Sequence, residues 1–150
     1  METRVQTEMF DLGLEANAFV ARHPGAGAVV TFTGLVRDVD GGLEGMEIEH
    51  YPGMTLKALE AMRLQAIERF SLSGAFILHR VGLLPPDAPI MMVATAARHR
   101  GAAFEGAEFL MDYLKSRAPF WKKEATRDGR TAWVEARESD EAALSRWSRD

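Results

Sequence analysis

Across residues 55–70 the apolar side chains Leu59, Met62, Ala66, Ile67 and Phe70 recur at three- and four-residue steps, the pattern of a helix with one buried face. Pro52-Gly53 stops the chain before it, and Thr55 is placed to cap it. The flanking segments have a different character. Residues 26–37 (AGAVVTFTGLVR) and 45–51 (GMEIEHY) precede the helix, and residues 74–81 (GAFILHRV) and 89–97 (PIMMVATAA) follow it, all of them apolar or β-branched in the manner of strands. An amphipathic helix set between pairs of strand-like runs buries its face on a sheet, and strands that come in adjacent pairs with short loops argue against a doubly wound parallel sheet.

The remaining elements follow from local signals. Residues 11–22 predict a short helix with Asp11 as N-cap, closed by His23-Pro24. Asp40-Gly41-Gly42 offers a turn, so 26–37 and 45–51 read as two strands joined by a loop or hairpin. Leu84-Pro85-Pro86-Asp87 turns the chain between 74–81 and 89–97, a second paired unit. A helix is expected over about 101–116, then a break at Ala118-Pro119, a polar turn at Arg127-Asp128-Gly129, a strand around 132–137 and a terminal helix from Ser139 or Asp140. Short connections between adjacent strands favour antiparallel pairing. The expected fold class is α+β, with helices packed on a mostly antiparallel or mixed sheet, in one domain spanning 1–150.

Composition narrows the chemistry. With 47% hydrophobic and 27% charged residues among 150, the chain is an ordinary globular one. It has no cysteine, which removes disulfides, thiolate metal sites and a cysteine nucleophile together. Any sulfur chemistry must use sulfur brought from outside. His23, His50, His79 and His99 lack metal-ligand spacing, so no metal and no resident cofactor are expected. The net charge is −4 with no continuous basic stripe, which argues against a duplex nucleic-acid partner, and no nucleic acid is expected, although Phe120 and Trp121 beside Lys122 and Lys123 also read as stacking groups for a single strand. The first residues carry charge where a signal peptide needs an apolar run, and no segment approaches the length of a membrane span. A cytoplasmic protein with no membrane partner is expected.

Against that acidic background, cations gather at the ends of the 101–116 helix. His99 and Arg100 sit where a strand gives way to the helix, a turn whose free N–H groups and positive dipole end suit a phosphate or carboxylate; they also read as ordinary solvated loop residues. Lys115 falls on the edge of the face holding Phe104, Ala107, Met111 and Leu114. It either snorkels to solvent over apolar surface or faces a cleft, where desolvation and neighbouring charge make it a base, a nucleophile or an anion clamp. Pro119-Phe120-Trp121 reads as a rigid turn with two apolar anchors, followed by Lys122-Lys123-Glu124. Arg37, in TGLVRD, is a strand-end guanidinium suited to an anion, or else part of an exposed turn. Ser/His/Asp, GxGxxG and Walker signatures are absent, so the candidate chemistry rests on cations.

At GAVVTFTGLVRD (27–38), EHYPGMTLKAL (49–59), HRVGLLPPD (79–87), AARHRGAAFEGAEFLMDYLKSRAPFWKKEAT (96–126) and WVEARESD (133–140) the chain resembles the catalytic, large subunit of molybdopterin synthase. The resemblance implies an α/β-hammerhead fold and a homodimer. Each subunit is expected to bind a small ubiquitin-like sulfur carrier, in a two-plus-two heterotetramer. The carrier's C-terminal Gly-Gly thiocarboxylate would enter a pocket of this chain and pass sulfur to cyclic pyranopterin monophosphate, two transfers making the dithiolene of molybdopterin. Position by position, Lys115 and Lys122 match the family's two catalytic lysines. Arg37, His99 and Arg100 match residues of the pterin pocket, with Leu35 and Val36 flanking Arg37, and Lys123 and Glu124 extending the Lys122 segment. Arg137 matches an arginine that reaches the pocket from the neighbouring protomer. The other reading of the same cations is a non-catalytic anion-binding or carrier-docking module.

Overall fold

The computed structural model describes residues 2–37, 42–134 and 138–148. Two four-stranded sheets carry the architecture. The first has the order β1-β4-β6-β2, from β1 (Thr3–Gln6), β2 (Ala28–Leu35), β4 (Gly74–Arg80) and β6 (Pro89–Ala97). The second has the order β5-β3-β7-β8, from β3 (Leu43–His50), β5 (Gly82–Leu84), β7 (Phe120–Thr126) and β8 (Thr131–Trp133). Among the described residues only β1 and β4 pair in parallel; the other ladders are antiparallel. The helices are α1 (Leu12–Arg22), α2 (Met54–Phe70), α3 (Arg100–Ser116) and α4 (Glu138–Ser145), the last followed by a 3₁₀ turn, Arg146–Ser148.

The central strands β4 and β6 are buried on both faces, which is why they read as continuous apolar runs. Strand periodicity divides them between two cores. Phe76, Leu78, Met92, Ala94 and Ala96 face α1 and enclose Phe19. Ile77, Met91 and Val93 face the other way, into the larger core with Leu59 of α2 and Phe109 and Leu110 of α3. Asp11 caps α1 as expected, its side chain accepting from the Leu14 N–H at 3.0 Å. Small residues set the seat of α3: a Cβ on Gly106 would come within 2.8 Å of Leu72 Cδ1. The buried face therefore runs through Ala103, Gly106, Ala107, Phe109 and Leu110, while Phe104, expected on it, is 60% exposed.

Several expectations are corrected. β2 and β3 do not form a hairpin. β2 lies against β6 from Ala28–Ala97 to Leu35–Pro89, and β3 lies against β7 from Leu43–Thr126 to His50–Phe120, in the other sheet. A short connection permits a hairpin, but each strand pairs where its own apolar residues are buried, and Leu43, Met46 and Ile48 of β3 close a core that β2 alone cannot. Pro119-Phe120-Trp121 is no turn, since Phe120 opens β7. Thr55 does not cap α2: Gly53 holds the N-cap position at φ 83°, and Thr55 is buried inside the helix with its hydroxyl 3.4 Å from the Pro119 carbonyl. Strands β1 and β5 went unsignalled because they are short and, at β1, half polar. Of the strand expected over 132–137, residues 131–133 form β8; Arg137 lies outside the described residues.

Candidate active site

A cavity of about 590 Å³ opens between the end of β2, the first half of β7 and the C-terminal turn of α3. Strand alternation aims Phe120, Lys122 and Glu124 at it from one face of β7. The last turn of α3 contributes Leu114 and Lys115, and the end of β2 contributes Phe32, Leu35 and, just beyond, Arg37. Asp140 of α4 closes one side. Three cations from three separate elements thus share one hollow with two carboxylates.

Lys122 is the more enclosed of the two lysines. Burial pushes its ammonium below the ordinary lysine range, the charge of Lys115 adds to that, and Asp140 opposes it. An amine so placed gives up a proton more readily than a surface lysine. Lys115 itself is exposed, at the cavity mouth.

The wall behind Lys122 is made by His79, a residue of β4 that is 4% exposed. Its ring stacks on Phe120 at 3.8 Å between centroids and 16° between planes. Nδ1 lies 2.8 Å from the Arg80 carbonyl oxygen, which can only accept, so Nδ1 carries the hydrogen. Burial pushes the imidazole down to about 3; the Arg80 carbonyl opposes this, and Lys122, His50 and Lys115 add to it. His79 is therefore neutral at physiological pH. Sequence reasoning passed over it, and over Asp140. A histidine inside the otherwise apolar run AFILHR was the available signal for the first.

The other expected residues fall elsewhere. Val36 is 1% exposed, and its backbone N–H donates to the Ala88 carbonyl at 2.9 Å, so its side chain fills core while its backbone anchors the strand end beside Arg37. Lys123 alternates to the outer face of the sheet, with its ammonium 5.6 Å from the centre of the Trp133 ring. His99 and Arg100 are exposed at the N-terminus of α3, with His99 as an N-cap that makes no side-chain hydrogen bond. Along a helix rising 1.5 Å per residue they stand roughly 22 Å from Lys115. They do not line the cavity of their own chain. Among the described residues no cluster of histidines and carboxylates could hold a metal ion, and no helix is long and apolar enough to cross a membrane.

Comparison with known proteins places this arrangement. Residues 5–117 match the family model described as MoaE protein. The chain is 61% identical, over 98% of its length and 100% of the relative's, to the molybdopterin synthase catalytic subunit of Cereibacter sphaeroides. Among solved structures it is similar to the molybdopterin biosynthesis MoaE protein of Burkholderia ambifaria, with a TM-score of 0.83, 52% identity and full coverage of both chains. It also shares the fold of a chain in the complex of subunits 1 and 2 of molybdopterin-converting factor from Helicobacter pylori, with a TM-score of 0.74 at 20% identity over 92% of each chain.

Proposed function

The chain belongs to the MoaE protein family, the molybdopterin synthase catalytic subunits, and from that premise we propose how its cavity works. The enzyme is a sulfurtransferase of molybdenum cofactor biosynthesis. The observation that carries the reading is the convergence of Arg37, Lys115 and Lys122 on one hollow. Both reactants, a thiocarboxylate on a carrier tail and a phosphate-bearing cyclic pterin, are anions that repel each other, and fixed cations in a partly dry site offset that repulsion.

In this reading Lys115, at the mouth, orients the thiocarboxylate of the small ubiquitin-like carrier and stabilises charge as sulfur leaves its acyl carbon. Lys122, deeper and more easily deprotonated, moves the proton. Arg37 holds the phosphate with its planar guanidinium. The chain has no cysteine, in keeping with sulfur that arrives on the partner. The Helicobacter pylori neighbour was solved as a complex of subunits 1 and 2 of molybdopterin-converting factor, which supports a second subunit as partner of this chain.

His99 and Arg100 enter the same scheme through a homodimer. Among the described residues β2 is an edge strand, paired only to β6, and it exposes Phe32 and Leu35. Residue 27, at its start, lies against Arg98: the Gly27 N–H donates to the Ala97 carbonyl at 2.9 Å. If two copies pair β2 edges antiparallel about a twofold, the start of one strand meets the end of the other, and the partner subunit's His99 and the partner subunit's Arg100 come beside Arg37. A two-plus-two assembly with the carrier follows.

The test supplies thiocarboxylated carrier and cyclic pyranopterin monophosphate and measures dithiolene formation. Lys115→Ala is expected to abolish product while leaving folding and carrier binding in place. Full activity in that variant removes the reading in favour of a docking module.

A further inference from the structure

We propose that His79 is a positioning residue for Lys122: its ring, laid flat on Phe120, closes the floor of the cavity between the two sheets and holds the lysine against an aromatic wall. The proposal rests on the reading of Lys122 as the amine that moves the proton, and its test is chosen to stand apart from that reading.

The geometry is specific. His79 belongs to β4 of the first sheet and Phe120 to β7 of the second, so their stack joins the two sheets at the point from which Lys122 projects, two residues further along the same face of β7. The imidazole is locked by its Nδ1–H bond to the Arg80 carbonyl. Arg80 is in turn buried and spent on backbone oxygens, reaching Thr7 at 3.1 Å and Pro89 at 3.1 Å, so its charge is tied away from the cavity. The groups that face the His79–Lys122 pair are Lys115 from α3, His50 from β3, Glu124 from β7, Asp140 from α4 and Arg37 beyond β2. Among these cations a charged ring at position 79 would be repelled from two sides, whereas a neutral flat one excludes water without that repulsion. Burial is the largest influence on Lys122, and the His79–Phe120 stack is the part of its surroundings that supplies an aromatic wall.

The experiment follows the pH dependence of Lys122 acylation by acetic anhydride in the full chain without carrier or pterin, read by peptide mass spectrometry. His79→Phe keeps an apolar ring against Phe120 and is expected to leave the midpoint of the Lys122 profile where wild type has it. His79→Ala opens the floor to water and is expected to raise the midpoint by about one pH unit, a tenfold loss of free amine at neutral pH. Should His79→Ala fail to fold, Phe120→Leu removes the stack from its other side and is expected to shift the midpoint the same way. An unchanged midpoint without the stack, or an equal shift in His79→Phe, overturns the proposal. If the midpoints behave as stated but Lys122→Met still forms dithiolene at the wild-type rate, the positioning role stands and the catalytic reading of Lys122 falls.

Discussion

Gly27→Ala tests how closely the chain entering α3 is pinned to the edge of the first sheet. A Cβ on Gly27 would sit 2.0 Å from the Arg98 carbonyl oxygen, where real Cβ atoms keep at least 3.0 Å. The obstacle is backbone, so the 97–99 segment has to retreat by about 1 Å, and the Gly27–Ala97 hydrogen bond is stretched or lost. Overpacking of this kind costs about 1–3 kcal/mol and the hydrogen bond about 1, offset by about 0.5 from the stiffer unfolded chain. The net expectation is a loss of about 2–3 kcal/mol, which lowers a urea midpoint by about 1–1.5 M at an unchanged slope of about 2 kcal/mol/M. Gly101→Ala is the matched control, because nothing lies within 4 Å of its Cβ and it stands in the first turn of α3; it is expected to be neutral or stabilising by up to about 1 kcal/mol. Equal stability of Gly27→Ala and wild type in urea would refute the close approach, and with it the placement of His99 and Arg100 at the start of β2.

Stability should fall with acid in a window set by His79. The unfolded ring takes up a proton below about 6.5, while the folded ring resists until about 3, so each pH unit lost across that interval costs about 1.4 kcal/mol. His79→Phe should flatten the part of the denaturation profile above pH 4.5, where carboxylates such as Glu60, held low by Arg63, do not yet titrate. Thr95→Val should cost about 1 kcal/mol in thermal or urea unfolding, since the buried Thr95 hydroxyl donates to the Ala103 carbonyl at 2.6 Å and ties β6 to α3. Arg37→Ala should weaken pterin binding by about 10- to 100-fold, the worth of a charge-assisted contact, and reduce its salt dependence with little effect on carrier docking measured by calorimetry.

The helices were legible because each carries its own periodicity: the helix that Thr55 was expected to cap begins two residues earlier, at Met54, the one expected over about 101–116 lies within a residue of α3, and Asp11 announced α1. The strands β4 and β6 and their antiparallel pairing were legible for a related reason, two apolar runs separated by one proline turn. Local pattern also pointed to the cations and to the absence of any thiol. It could not tell Lys122 from Lys123. Once 120–126 is known to be a strand, alternation sends the first inward and the second to Trp133, but the sequence around Pro119 reads equally well as a turn.

What the amino-acid sequence determined by itself was therefore which segments are helical or extended and which charges are available, since propensity and hydrophobic period act over a few residues. Which sheet β2 and β3 each join, that His79 lines the same cavity as Lys122, and that Arg37 shares it with Lys115 while His99 and Arg100 stand at the far end of α3 were decided only in three dimensions. These outcomes depend on bringing together residues 74 apart where Thr3 of β1 pairs with Ile77 of β4, or 78 apart for Arg37 and Lys115 on one cavity, and no local signal encodes a contact at that separation.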